Sequence, residues 1–155
     1  MIVTIMITVL FATIIIGQFS LITDEGRAIP IYTTVLLLVL YFGVFAFRIT
    51  GYSITTDDVI IHRPFDKIKI EKKDIRSAEV IDKRKLRWSI RIFGVGGLFG
   101  YYGRFANAKI GRMTWYATRR DKPVLVVTNY DKKIILTPEE AERFVTALNT
   151  GRMGR

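Results

Sequence analysis

The chain has 155 residues, half of them hydrophobic, and a formal net charge of +10. It contains no cysteine, which excludes disulfides, thiol catalysis and the cysteine-based zinc and iron–sulfur centres. The charged residues before residue 50 are two acids and two arginines, so the whole excess of positive charge belongs to residues 50–155. The sequence therefore divides into an apolar N-terminal third and a basic remainder.

Two long runs near the N-terminus contain no charged residue, at residues 1–22 and 28–47. About 20 apolar residues in a helix, rising about 1.5 Å each, span a hydrocarbon core of about 30 Å. The first run differs from a secretory signal peptide, because no basic residue precedes it and a second apolar run follows at once. The runs predict a two-helix transmembrane hairpin over residues 1–49, with a polar turn at residues 23–27.

Basic residues near the ends of the two runs predict the orientation of the hairpin, because short cytoplasmic segments are enriched in lysine and arginine. In the connecting turn, Arg27 is balanced by Asp24 and Glu25. At the other end, Arg48 directly follows the second run. We therefore expect both termini, and the basic C-terminal part, in the cytoplasm.

Beyond Arg48 the hydrophobic pattern changes to the two-residue period of β-strands. Turn-forming residues separate short segments rich in β-branched and aromatic residues, as Asp57 and Asp58 do between the first two segments. About seven strands are expected, at residues 52–55, 59–63, 67–70, 78–81, 113–118, 124–128 and 133–136.

One amphipathic helix is predicted at the C-terminal end of this domain. The sequence Thr137-Pro138-Glu139-Glu140 matches a capping box with proline at the first helical position. The following apolar residues share one helical face, at positions i, i+3, i+4 and i+7: Ala141, Phe144, Val145 and Leu148. We expect Thr137 to cap the helix, Phe144 and Leu148 to be buried, and residues 151–155 to form a disordered tail.

Residues 91–105, RIFGVGGLFGYYGRF, have a glycine at every third position from Gly94 to Gly103, with aromatic residues between them. This segment resembles the glycine–aromatic segment of a bacterial pleckstrin-homology-like (PH-like) domain family. Many short strands followed by one helix also resemble the order of that fold. The resemblance covers residues 50–150. It implies a mainly-β PH-like barrel plugged by its last helix, and family members often carry membrane helices before the domain. It thus implies a multi-pass protein of the bacterial inner membrane.

The glycine–aromatic segment does not match the nucleotide-binding motifs. A P-loop requires a lysine after its last glycine, and the dinucleotide fingerprint requires a third glycine within a βαβ unit. Neither feature is present here. Two interpretations remain: a loop whose aromatic side chains fold against the barrel, or a loop that contacts the bilayer interface.

Basic residues next to aromatic ones form the candidate binding site. Lysine and arginine attract anionic headgroups, while aromatic side chains favour the membrane–water interface. A solvated run of charges is the alternative. The candidate lipid- or partner-binding residues are Lys83, Arg84, Lys85, Arg87, Trp88, Arg91, Phe99, Tyr101 and Tyr102.

No residue is assigned to catalysis, to a metal or to a cofactor. His62 is the only histidine, expected on an exposed strand position, and it has no metal-ligand set in the sequence around it. None of the serines 53, 77 and 89 has the context of a nucleophile elbow.

We therefore expect a non-enzymatic, membrane-anchored module that binds protein partners, anionic lipid headgroups or both. A nucleic-acid or other polyanion-binding domain is the first alternative, suggested by the positive charge and disfavoured by the membrane tether. A small membrane-associated enzyme is the second, suggested only by His62 and scattered acids. The sequence predicts no particular oligomeric state.

Overall fold

The computed structural model describes residues 2–20 and 28–150. The turn predicted at residues 23–27 and the tail predicted at residues 151–155 lie outside these ranges. Two helices come first, α1 at Ile2–Ser20 and α2 at Ala28–Ala46.

The two helices pack side by side and are joined by hydroxyl groups. The Thr33 hydroxyl donates a hydrogen bond to the Gln18 side chain at 2.6 Å, and the Thr8 and Tyr41 hydroxyls lie 3.1 Å apart. Within the described ranges, the segment Ile29–Ala46 is long and apolar enough to cross a membrane by length and composition. In α1 the apolar segment is Thr4–Ser20, which is shorter than a typical membrane span. The first of the two predicted spans therefore stays a prediction.

Within the described residues, nine strands follow, in a small sheet of order β1-β2-β3 and a large sheet of order β4-β8-β9-β7-β6-β5. All neighbouring strands are antiparallel except β7 and β9. The strands are β1 Gly51–Ile54, β2 Asp58–His62, β3 Lys67–Glu71, β4 Ile75–Val80, β5 Ile90–Gly96, β6 Tyr101–Asn107, β7 Gly111–Ala117, β8 Val124–Thr128 and β9 Lys133–Leu136.

The predicted mainly-β domain with a C-terminal helix is confirmed, but its strands form two separate sheets in an open sandwich, so the predicted barrel of about seven strands is wrong. The seven predicted strands are present, and the glycine–aromatic segment adds β5 and β6. The sequence pattern did not predict these two strands, because the glycines interrupt the alternation of apolar and polar side chains that is typical of a strand. Gly94 and Gly103 pair with each other at φ values of 117° and 126°. A Cβ on either would lie 2.2 Å from a carbonyl oxygen of the opposite strand, so only glycine permits this approach.

The main core lies between the small sheet, the last helix and one face of the large sheet, which we call the inner face. The helix, α3, spans Ala141–Thr150. Its Phe144 and Leu148 are buried against Val59 and Ile61 of the small sheet and against strands β4, β8 and β9, which confirms the predicted burial. Since this core is continuous across the three elements, the helix stabilises the sandwich.

The predicted helix cap at Thr137 is wrong, because α3 begins only at Ala141. The buried Thr137 hydroxyl accepts a hydrogen bond from the backbone N–H of Thr118 at 2.9 Å and lies 3.4 Å from the Tyr52 hydroxyl. The Tyr52 hydroxyl in turn donates to the Tyr116 carbonyl at 2.6 Å. Burial raises the pKa of Tyr52, and this network fastens the end of β9 to β7 and to β1.

The outer face of the large sheet carries a second, smaller core. Its members are Ile81, Leu86, Phe105, Met113, Trp115 and Ile135. Residues 82–89, with a short 3-10 turn at Lys83–Leu86, cross this face and bury Leu86. The Asn107 amide holds the crossing in place, donating to the Lys85 carbonyl at 2.8 Å and to the Ser89 hydroxyl at 3.0 Å. The outer face is therefore closed by a strongly basic segment.

Candidate functional site

The turn between β5 and β6 contacts both N-terminal helices. The Thr4 hydroxyl of α1 accepts a hydrogen bond from the Phe99 backbone N–H at 3.2 Å. The Phe99 ring lies edge-on to Tyr41 and Phe45 of α2, with ring centroids 5.3 and 5.5 Å away. Phe99 has a φ of 57°, a conformation that non-glycine residues adopt only where their surroundings hold them. The β5–β6 turn is thus the joint between the helices and the domain.

Tyr102 strengthens this joint. Its buried hydroxyl donates to the Val44 carbonyl of α2 at 3.0 Å, and burial raises its pKa. Of the four aromatic residues predicted to bind lipid or a partner, Phe99 and Tyr102 therefore contact the protein's own helices. This placement fits the interpretation in which the aromatic side chains are structural. They pack on the N-terminal helices and not on a barrel.

The predicted basic residues partly converge on a cavity of about 330 Å³ on the outer face of the large sheet. We call it the basic cavity. Leu86 and Trp115 supply its apolar lining. Its charged lining consists of Lys83, Arg84, Arg87 and Arg120.

The charges around the basic cavity are mostly uncompensated. Arg84 pairs with Asp82 at 2.7 Å, and the hydrogen bond from Arg84 lowers the pKa of Asp82. Within the described part of the chain, no carboxylate pairs with Lys83, Arg87 or Arg120. Three cations around one cavity repel each other, so an anion bound between them would be stabilised.

Trp115 lines the same cavity and carries a buried donor without a partner. Its ring stacks on Phe105 with centroids 4.5 Å apart and lies edge-on to Tyr101 at 6.0 Å. Its indole N–H is buried and has no hydrogen-bond partner among the residues that the structure describes. A buried donor without a partner costs free energy, so this position is held by the packing of the ring and not by a hydrogen bond.

The basic cavity lies beside the joint to the helices. The Arg120 guanidinium carbon lies 4.4 Å from the centre of the Tyr101 ring. Tyr101 also lines a neighbouring cavity together with Thr4 of α1 and Arg48 and Thr50 after α2. Tyr101 thus connects the basic cavity to the helix-proximal end of the domain.

The remaining predicted site residues are spread around this cavity. Arg91 pairs with Phe105 in the β5–β6 ladder, so it lies on the same outer face. Lys85 is exposed and is not part of the cavity lining. Trp88 is 82 % exposed at a φ of 63°, with the Arg87 guanidinium carbon 5.4 Å from its ring centre. The exposed Trp88 side chain therefore marks the rim of the basic face.

Sequence reasoning missed Trp115 and Arg120, because strand pairing and not sequence proximity brings them to residues 83–87. It also missed Phe65, which is 81 % exposed in the turn between β2 and β3. Arg63 of that turn places its guanidinium carbon 5.6 Å from the ring centre of Phe47, directly after α2. The exposed phenylalanine therefore also lies at the helix-proximal end of the domain.

His62 is half-buried rather than exposed, and its Nε2 lies 2.7 Å from the Ser53 hydroxyl. This contact joins β1 to β2 in the small sheet. A hydrolytic site would also need a group that orients the histidine and donors for an oxyanion. No group of three or more histidine, aspartate or glutamate side chains able to hold a metal ion occurs in residues 2–20 and 28–150.

Comparisons with known proteins give a match to a family model. No curated protein and no solved structure matches the chain. A family model described as a bacterial PH domain matches residues 50–151, about two-thirds of the chain. The matched range begins directly after the second helix and takes in both sheets, the basic cavity and α3. The chain belongs to the bacterial PH domain family.

Proposed function

We propose that the protein is a membrane-anchored, non-enzymatic PH-like module that binds anionic lipid headgroups at the cytoplasmic face of the bacterial inner membrane. Membership of the family favours a binding module over an enzyme. Residues 1–49 form the anchor, and residues 50–150 form the binding domain. The anchor is supported by the segment Ile29–Ala46, none of which is buried inside the protein, so its apolar surface requires another apolar environment.

In this proposal α1 and α2 span the membrane as a hairpin. Their mutual hydrogen bonds replace contacts with water, which is absent from the hydrocarbon core. The basic residues near the ends of the two apolar runs favour an orientation with both termini in the cytoplasm. A reporter fused after Arg155 that is active only in the cytoplasm checks this topology. Activity of a periplasmic reporter at the same position would reverse it.

The basic cavity is the main evidence that the ligand is an anionic headgroup. With the hairpin in this orientation, the start of α1 and the end of α2 lie at the cytoplasmic surface. Tyr101 adjoins them, and Arg120 lies against the Tyr101 ring. Each cation near an anionic surface contributes roughly 1 kcal/mol, and the attraction decays within about 8 Å at physiological salt. The exposed Phe65 lies at the same end, where an aromatic side chain suits the interface.

Tryptophan fluorescence of the full-length protein in detergent tests the headgroup proposal, because the chain has two tryptophans. A Trp88→Phe variant leaves Trp115, in the basic cavity, as the reporter. We expect a saturable change with dihexanoyl phosphatidylserine, suppressed in 0.5 M salt, and none with the neutral choline lipid. Replacing Lys83, Arg87 and Arg120 with Gln should abolish the change. Replacing Lys69, Lys72 and Lys109 with Gln removes the same charge elsewhere and should leave it intact.

Equal responses to both lipids, or an unchanged response in the Lys83, Arg87 and Arg120 variant, would overturn the proposal. The same titration separates the polyanion alternative. A single-stranded oligonucleotide that binds the cavity and displaces the anionic lipid would assign the basic face to nucleic acid instead.

A further inference from the structure

The inner face of the large sheet is covered over only part of its width. The small sheet and α3 cover β4, β8 and β9, where the main core lies. On the other part, Arg104 and Ala106 of β6 face the open side, and the strand register places Phe93 opposite Arg104 and Ile90 opposite Ala106. Ile90 and Phe93 are 73 % and 76 % exposed. The sandwich thus leaves an apolar strip of its own inner face uncovered.

A groove of about 680 Å³ runs along this open part. Ile68 and Ile70 of β3 form one wall, and Ile92, Arg104 and Thr114 belong to the other. Among residues 2–20 and 28–150, β3 pairs only with β2 and β5 only with β6, so each sheet ends here with an edge that no described strand covers. A free edge presents unpaired backbone N–H and C=O groups to any strand that approaches it.

The groove is positively charged. Arg104, Arg112 and Lys132 belong to its lining, and the one acid in that lining, Asp131, is paired with Arg76 at 2.8 Å. On the outward side of β3, Lys67 and Lys69 alternate with the two inward isoleucines. A strand that fits this place therefore needs acidic side chains for the rim and apolar ones for the floor.

We propose that an extended, acidic–apolar segment of a partner protein adds to the edge of β3 as a fourth strand of the small sheet and fills the groove. Its backbone would pair with β3, its inward apolar side chains would cover Ile92 and Phe93, and its outward acids would meet Lys67 and Lys69 of β3. Charge excludes the chain's own last residues, 151–155, which carry two arginines and no acid. The lysines of β3 likewise disfavour a second copy of the same edge.

Peptide binding to the full-length protein in detergent tests this proposal. The probe is a fluorescein-labelled nonapeptide that alternates glutamate and valine, and its counterpart has lysine in place of glutamate. We expect fluorescence anisotropy to detect the glutamate peptide alone. Changing Lys67 and Lys69 to Glu should weaken its binding at least tenfold and admit the lysine peptide. The variant lacking the charges of Lys83, Arg87 and Arg120 should bind as the original chain does, which separates this groove from the basic cavity.

Strand pairing has its own test in the peptide. N-methylation at alternate residues blocks one edge of the peptide backbone at a time, so one of the two methylated peptides should lose binding and the other should keep it. Equal tolerance of both methylations would rule out strand addition. The proposal is also overturned if neither peptide binds at millimolar concentration, or if light scattering shows a dimer that a Phe93→Ser variant loses.

Discussion

The two halves of the large sheet are built from similarly apolar strands and have opposite surroundings. In the half formed by β4, β8 and β9, Val124, Val126 and Leu136 are fully buried under the small sheet and α3. In the half formed by β5, β6 and β7, Ile90 and Phe93 are exposed on the same face. Apolar content therefore predicts that a segment forms a strand and does not predict whether its face is covered. The uncovered half is the surface left for partners.

Removing the cover should affect the buried half most. Phe144 of α3 packs against Tyr52 with ring centroids 6.3 Å apart and is buried in the main core. Phe144→Ala should lower the free energy of unfolding by about 3–5 kcal/mol, because it removes apolar contacts and leaves a cavity. Denaturant unfolding of the full-length chain in detergent measures this loss, followed by Trp115 fluorescence with Trp88→Phe present in both proteins compared. An unchanged midpoint would show that α3 does not hold the sandwich together.

The sequence predicted this half of the molecule well because local pattern and tertiary packing agree there. The apolar face of α3 and the strands at residues 124–128 and 133–136 were all visible from periodicity. The start of α3 was not, because the Thr137 hydroxyl prefers a buried partner, the Thr118 N–H, over a helix cap. Long-range partners of this kind leave no trace in local sequence.

The Thr137 network gives the next largest expected effect. Thr137→Ala removes the acceptor of the Thr118 N–H and should cost about 1–3 kcal/mol, the usual penalty for a buried donor left without a partner. Thr137→Ser keeps the hydroxyl and should cost clearly less. The same unfolding measurement compares the two variants. Equal losses would mean that the methyl group, and not the hydrogen bond, stabilises this corner.

The open half and the basic cavity were harder to predict. The glycines of residues 91–105 indicated a loop, whereas the Gly94–Gly103 contact makes them part of a paired hairpin. The basic run at residues 83–91 was visible, and three of its members line the cavity. Trp115 and Arg120 complete that cavity from β7 and the loop after it. Their proximity depends on sheet topology, which periodicity does not encode.

A substitution at Phe93 should have the smallest effect on stability. This makes Phe93 the sharpest test of the difference between the buried and the open half of the large sheet. Phe93 is 76 % exposed and lies in the open half, so Phe93→Ser removes little buried surface. The unfolding free energy should change by less than about 0.5 kcal/mol, as for ordinary surface substitutions. The same substitution should weaken binding of the acidic–apolar peptide, because it removes an apolar contact from the proposed floor of the groove. A large loss of stability would show that the open half is packed after all, and unchanged stability with unchanged peptide binding would leave Phe93 outside the binding surface.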